Sequence, residues 1–181
     1  MTKRFFIVHG WEGSPEKNWM PWITRQLESK GYDTVAIAMP NPDNPNMQEW
    51  VKCLTDAVGT PNPDTYIIGH SLGCITILRY LETLKGNNRI GGVVLVAGFT
   101  SNLGYEELES FFKERIEWNT IRENCRKFIA IYSDNDQFVS THYGAIFNEN
   151  LSAKEVLVHG KGHFDQEVMQ EVLDAALSIS E

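Results

Sequence analysis

The chain has 181 residues, of which 42% are hydrophobic and 22% charged, and this composition suits a single globular domain over 1–181. Its formal net charge of -8 argues against nucleic-acid binding, because no basic stripe is present to displace counterions from a phosphate backbone. Residues 1–10 lack the long apolar segment of a leader or membrane span, so we expect a cytoplasmic protein that does not bind membranes.

The first half of the chain alternates β-favouring and helical segments. A strand over 3–8 ends at glycine, and a tryptophan-rich loop then leads into a helix that we expect to end near residue 29. A second strand over 34–39 precedes a proline-rich connection and a helix over 47–58. A third strand over 65–68 leads through a short turn into a helix over 74–82.

The second half continues this alternation. The run over 91–97 is almost continuously apolar, which is typical of a strand buried on both faces of a parallel sheet. Further strands are predicted over 128–132 and 155–158, with helical segments near 105–117, 141–150 and 165–179. Alternating strands and helices imply βαβ crossovers. We therefore predict an α/β fold, a three-layer α/β/α sandwich on a mainly parallel sheet of about six strands.

The turn Gly69-His70-Ser71-Leu72-Gly73 joins the third strand to its helix. A chain that reverses so sharply holds the serine in a strained conformation, and a Cβ at position 69 or 73 would collide with the neighbouring strand and helix. The Ser71 hydroxyl would then stand on a rigid tip beside a helix N-terminus, where an acyl-transfer enzyme needs its nucleophile.

Two further strands deliver reactive side chains at their carboxyl ends, where binding groups of parallel sheets gather. Asp136 follows the strand at 128–132, and His163 follows the strand at 155–158. Histidine can accept the serine proton, and a carboxylate can fix its tautomer. The order Ser, Asp, His is that of an α/β-hydrolase. Asp134 is an alternative acid, although the Asp-x-x-Val pattern favours Asp136 and a turn-forming role for Asp134.

The predicted site also needs donors for a developing oxyanion. We assign one to the backbone N–H of Leu72, directly after the nucleophile, and one to the N–H of Trp11, after the first strand. Trp11 is also a candidate for the substrate pocket, with a core position as its alternative. Glu12 and His70 are expected to border the substrate, and His70 also to support the elbow.

Other chemistry-bearing residues have simpler interpretations. Cys53, Cys74 and Cys125 are expected to be reduced, mostly buried thiols. His159 and His163 are four residues apart, but the glycines between them disfavour the helix that such a metal site would need. We therefore expect no metal and no cofactor.

Several motifs span nearly the whole chain: Phe-Ile-Val-His-Gly at 6–10, Gly-His-Ser-Leu-Gly-Cys at 69–74, Asp-Asn-Asp-Gln-Phe-Val at 134–139 and Gly-Lys-Gly-His-Phe at 160–164. In these motifs the sequence resembles the small α/β-hydrolases of the retinoblastoma-binding-protein-9-like serine hydrolase family, and among them the bacterial members. The resemblance implies a compact hydrolase with little lid, whose triad is Ser71, Asp136 and His163. Glu12 departs from the small residues that related enzymes often carry after the oxyanion turn.

The motifs together predict a serine hydrolase of the carboxylesterase type, which cleaves a small ester, amide or thioester through an acyl-enzyme intermediate. Its expected partner is a small-molecule acyl substrate, and the oligomeric state is left open. The alternative function is a binding module on a catalytically weak or inactive hydrolase scaffold. Acyl transfer to an acceptor other than water would use the same residues.

Overall fold

The computed structural model describes residues 2–86 and 88–181. Its sheet consists of β1 (Arg4–Val8), β2 (Asp33–Ile37), β3 (Thr65–His70), β4 (Gly92–Val96), β5 (Phe128–Ser133) and β6 (Lys154–Val158). The helices are α1 (Met20–Ser29), α2 (Met47–Val58), α3 (Leu72–Thr83), α4 (Trp118–Asn124), α5 (His142–Leu151) and α6 (Gln170–Ser180), with a 3₁₀ helix at Glu106–Phe111.

All neighbouring strands pair in parallel, in the order β2-β1-β3-β4-β5-β6. The chain starts inside the sheet, adds β2 on one side and then returns to extend the other side. Since parallel crossovers are right-handed, this reversal sends helices to both faces. Helices α1 and α6 pack together, as do α2 with α3, α3 with α4 and α4 with α5. The predicted three-layer α/β/α fold is confirmed.

Most predicted element bounds agree with the structure to within one or two residues. The central strands are completely buried, including every residue of β3, β4 and β5, as their apolar runs predict. The strand β3 extends to His70, and α3 begins at Leu72. The turn between strand and helix is therefore only Ser71.

The helical segment predicted near 105–117 is wrong in its extent. The structure has a 3₁₀ helix over Glu106–Phe111, irregular backbone, and then α4, which the sequence analysis missed. Buried Arg79 accounts for the interruption, because its guanidinium donates hydrogen bonds to the carbonyls of Phe111, Glu114 and Arg115. In a continuous helix those carbonyls would accept backbone N–H groups further along the chain. The charge of Arg79 is also paired with Glu82 at 3.0 Å.

The helix predicted over 165–179 begins only at Gln170. Residues 164–169 instead form a loop whose ends are buried, because Phe164 and Met169 are both 0% exposed. Phe164 has a φ of 60°, which breaks helical geometry directly after His163. Burial of these two side chains therefore outweighs the helical pattern of the sequence.

The remaining features concern the thiols and membrane-spanning potential. Cys74 and Cys125 are buried, Cys53 is partly buried, and all three are free, as predicted. Within residues 2–86 and 88–181, no helix has both the length and the apolar character needed to span a membrane.

Candidate active site

Ser71 sits in a strained backbone conformation, with φ 53° and ψ -118°, between β3 and α3. Its N–H donates to the carbonyl of Val96 at 2.8 Å, which fixes the turn to the end of β4. A Cβ at Gly69 would lie 2.6 Å from Cδ1 of Ile77 on α3, and a Cβ at Gly73 would lie 2.4 Å from the Val8 carbonyl oxygen on β1. The two glycines therefore allow the helix and strand to approach the turn.

The side chains of Ser71, His163 and Asp136 form a continuous chain of hydrogen bonds. The Ser71 Oγ is 2.9 Å from Nε2 of His163, and Nδ1 of His163 is 2.8 Å from Oδ2 of Asp136. The second oxygen of Asp136 accepts the N–H groups of Phe138 and Val139, at 2.8 Å and 3.0 Å. The structure thus brings together three residues that are up to 92 positions apart.

The environment of Asp136 determines the tautomer of His163. Burial acts to raise the pKa of the Asp136 carboxyl, but hydrogen bonds from His163 and from the N–H groups of Val139 and Phe138 outweigh burial and hold this pKa below its ordinary value. An ionised carboxylate accepts only, so Nδ1 of His163 carries the proton that it donates. Nε2 is then free to accept the hydroxyl proton of Ser71.

Asp134, the alternative acid, has another partner. Its Oδ2 lies 2.6 Å from Nδ1 of His159, and its Oδ1 accepts the N–H of Gly160 at 2.9 Å. The His159 and Asp134 side chains are 81% and 42% exposed. The structure therefore contains two Asp–His pairs side by side, and the one aligned with Ser71 uses Asp136.

In the part of the chain that the structure describes, no cluster of three or more His, Cys, Asp or Glu side chains could hold a metal ion.

The loops after β5 and β6 are joined by a further set of hydrogen bonds that the sequence analysis missed. Ser133 Oγ accepts the N–H of Lys161 at 2.9 Å, and Asn135 Oδ1 accepts the N–H of Gly162 at 2.8 Å. The sequence does show short polar side chains at the end of a predicted strand. It does not show which groups they bond to, because their partners lie more than 25 positions away. These bonds fix the backbone directly before His163 to the loop that carries Asp136.

One N–H group assigned to the oxyanion directly follows Ser71, and the other belongs to the loop after β1, which approaches Ser71 at Gly10. Leu72 is the first residue of α3, so its N–H has no partner within the helix. Trp11 follows Gly10, at which a Cβ would lie only 3.0 Å from Cβ of Ser71. Neither N–H is bonded to a protein acceptor within the described ranges.

His9, directly after β1, fixes the peptide that carries the Trp11 N–H. Its Nε2 accepts the N–H of Met39 at 3.1 Å, so Nδ1 holds the proton and donates to the Gly10 carbonyl at 2.7 Å. Burial lowers the pKa of His9, which keeps the ring neutral. Since C=O and N–H point in opposite directions across a trans peptide, holding the Gly10 carbonyl also orients the Trp11 N–H.

Ser71 opens onto a cleft with two lobes. The apolar lobe encloses about 260 Å³. Its apolar walls come from six residues: Phe99, Leu103, Tyr105, Leu108, Phe138 and Val139. The polar lobe encloses about 250 Å³ and includes Ser14, Lys17 and Asn18. Trp11, Glu12, His163 and Asp165 border both lobes.

The predicted substrate-contacting residues differ in their placement. Trp11 is partly buried, borders both lobes and also packs against the hydrophobic core, so its side chain combines the two expected placements. Glu12 is exposed at the border of the cleft. His70, in contrast, is 5% exposed and lies at the floor of the polar lobe, with Nε2 engaged 2.8 Å from the carbonyl of His163. That nitrogen is therefore occupied by a protein acceptor, and a contact between His70 and substrate stays a prediction.

With this strand order and a serine elbow after β3, the protein has the α/β-hydrolase fold. The chain belongs to the serine hydrolase family, whose family model, described as Serine hydrolase, matches residues 5–175. YdeN of Bacillus subtilis (strain 168) is 33% identical over 165 residues, covering 91% of this chain and 87% of that protein. The serine hydrolase RBBP9 of Rattus norvegicus is 28% identical over 175 residues, with coverages of 95% and 87%. The crystal structure of the B. subtilis ydeN product superposes with a TM-score of 0.93 at 31% identity, covering 98% of each chain.

Proposed function

We propose that this serine hydrolase cleaves small carboxylic esters through an acyl-enzyme intermediate, with Ser71 as nucleophile, His163 as general base and acid, and Asp136 as the orienting carboxylate. The observation that carries the proposal is the 2.9 Å contact between Ser71 Oγ and His163 Nε2, continued at 2.8 Å to Asp136. Contacts of this length are within the reach that proton transfer requires.

The proposed reaction has two halves. Ser71 Oγ attacks the carbonyl carbon while His163 Nε2 takes the hydroxyl proton, and the carbonyl oxygen becomes an oxyanion held by the N–H groups of Trp11 and Leu72. His163 then gives the proton to the departing alcohol as the carbon–oxygen bond breaks. Water attacks the acyl-enzyme, gives its proton to His163, and the acid leaves as Ser71 recovers that proton.

The shape of the cleft supports a substrate with two unlike ends. At about 30 Å³ for each water-sized group, a lobe of this size accommodates roughly eight non-hydrogen atoms. The apolar lobe suits the acyl group, and the polar lobe suits an alcohol with hydrogen-bonding groups. Glu12 and Asp165 border the apolar lobe, where no lysine or arginine of the described residues accompanies them, so their carboxylates disfavour an anionic acyl group.

Fluorophosphonate labelling tests the proposed nucleophile. The wild-type protein should form a covalent adduct at Ser71, and Ser71→Ala should form none while it retains the wild-type thermal transition. Folded wild-type protein that does not react would contradict the proposal and favour the binding-module alternative.

An ester chain-length series tests the proposed acyl lobe. Activity on p-nitrophenyl esters should fall once the acyl chain exceeds roughly eight non-hydrogen atoms. Leu103→Trp, at a partly buried position in the lobe, should shift this limit to shorter chains, whereas Leu157→Trp, at a 50% exposed position on β6, should not. Faster cleavage of long-chain triglycerides than of short esters would contradict the assignment.

A further inference from the structure

The segment that carries His163 has little regular structure of its own. It lies between the end of β6 at Val158 and the start of α6 at Gln170. Gly160, Gly162 and Phe164 have φ values of 70°, 53° and 60°, so the backbone turns repeatedly in the left-handed region. The position of the His163 ring must therefore depend on bonds to neighbouring elements.

The bonds from the β5 side are those of Ser133, Asp134, Asn135 and Asp136 described above. From the opposite side, two buried ring N–H groups hold consecutive carbonyls of the same segment. His70 Nε2 lies 2.8 Å from the carbonyl oxygen of His163, and Trp19 Nε1 donates to the carbonyl of Phe164 at 3.0 Å. Trp19 is 0% exposed and meets the His70 ring edge-on at 5.8 Å.

The protonation state of His70 is compatible with this role. A carbonyl oxygen only accepts, so Nε2 of His70 must carry the hydrogen. Burial, followed by the charge of His163, lowers the pKa of His70 to about 3, so the ring is neutral near pH 7. The ring centroids of His70 and His163 are 5.0 Å apart, and a neutral His70 adds no positive charge beside His163 when that ring is protonated.

We propose that His70 and Trp19 are positioning residues that hold the backbone of His163 and Phe164 and thereby keep the His163 imidazole within proton-transfer distance of Ser71. This inference rests on the proposed function of the site. Neither residue touches the reacting atoms in this role, so their loss should lower kcat and leave KM nearly unchanged.

Trp19→Phe removes one donor and keeps an aromatic ring. Trp118→Phe is its control, because Trp118 is partly buried on α4, meets the Phe147 ring edge-on at 6.3 Å and lines neither lobe of the cleft. We expect a fall in kcat of about 10- to 100-fold for Trp19→Phe, since a misplacement of about 1 Å can cost about 100-fold. Trp118→Phe should lower Tm and change kcat by less than about twofold.

His70→Phe and His70→Gln form the second pair. His70→Phe should slow turnover to a similar degree, and His70→Gln, which keeps an N–H donor in reach of the carbonyl, should restore most of the rate. In the double variant His70→Phe with Trp19→Phe, the fall in kcat should be smaller than the product of the two single falls, because both donors hold one segment. Trp19→Phe tests the inference independently if His70→Phe does not fold.

A readout independent of turnover is the NMR signal of the His163 ring nitrogens, which should broaden in Trp19→Phe and stay sharp in Trp118→Phe. Equal kcat in these two variants, or His70→Gln as slow as His70→Phe, would overturn the positioning role. Failure of the proposed function would look different, because the wild-type protein itself would then resist fluorophosphonate labelling.

Discussion

Replacing Gly73 with alanine adds one methyl group at the contact between α3 and the end of β1. The new Cβ would lie 2.4 Å from the Val8 carbonyl oxygen and 2.8 Å from that of His9, whereas real Cβ contacts essentially never fall below 3.0 Å. The elements must therefore separate by at least 3.0 - 2.4 = 0.6 Å. Since Trp11 lies in the loop that follows β1 and Leu72 is the first residue of α3, this separation pulls apart the two proposed oxyanion donors.

The expected cost has two parts. Overpacking of this kind costs about 1–3 kcal/mol of stability. Loss of one oxyanion donor costs about 3 kcal/mol of barrier, so kcat should fall by about 100-fold. Thermal unfolding measures the first part, and ester turnover per fluorophosphonate-titrated site, well below the transition, measures the second.

Gly31→Ala serves as the control for destabilisation alone. Gly31 has a φ of 87° and nothing within 4 Å of an added Cβ, so alanine there costs about 1 kcal/mol through backbone strain and leaves the site untouched. Gly31→Ala should therefore lose stability and keep its kcat. Wild-type turnover in folded Gly73→Ala would refute the argument that this glycine sets the spacing of the oxyanion donors.

Three other outcomes are expected. Asp136→Asn should lower kcat by about 10³- to 10⁴-fold, because an amide no longer fixes the His163 tautomer, whereas Asp134→Asn, assayed alongside, should cost less than about tenfold. Because the pKa of His70 in the folded protein is lowered to about 3, the unfolded chain binds a proton at this histidine at a higher pH than the folded protein does. The free energy of unfolding is therefore fully retained above the unfolded pKa and decreases as the pH falls below it. Denaturant titrations should show a loss on the order of 3 kcal/mol between pH 7 and pH 4, and a smaller one in His70→Gln. Arg79→Met should destabilise the fold by about 3–5 kcal/mol in the same titration, because three carbonyls lose their donor and Glu82 loses its guanidinium partner. An unchanged midpoint would contradict this.

The two errors in the element predictions share a cause. The pattern near 105–117 is locally helical, but Arg79, from a distant part of the chain, takes three of the carbonyls that a helix there would need. Similarly, Phe164 and Met169 are drawn into the core and delay the start of α6. In each case a contact between residues far apart in sequence outweighs local helix propensity, which is worth less than about 1 kcal/mol per residue.

The sequence by itself determined the strand–helix alternation, the elbow around Ser71 and the candidate residues at the strand ends. These features have local signals, because periodicity, glycine spacing and strand length act over a few neighbouring residues. Only the tertiary structure decided that Asp136 rather than Asp134 faces His163, that His9 bonds to the Gly10 carbonyl, and that Nε2 of His70 lies against the carbonyl of His163. Hydrogen bonds between loops have no periodic pattern in the sequence, and their partners become neighbours only once the sheet has brought its strand ends to one edge.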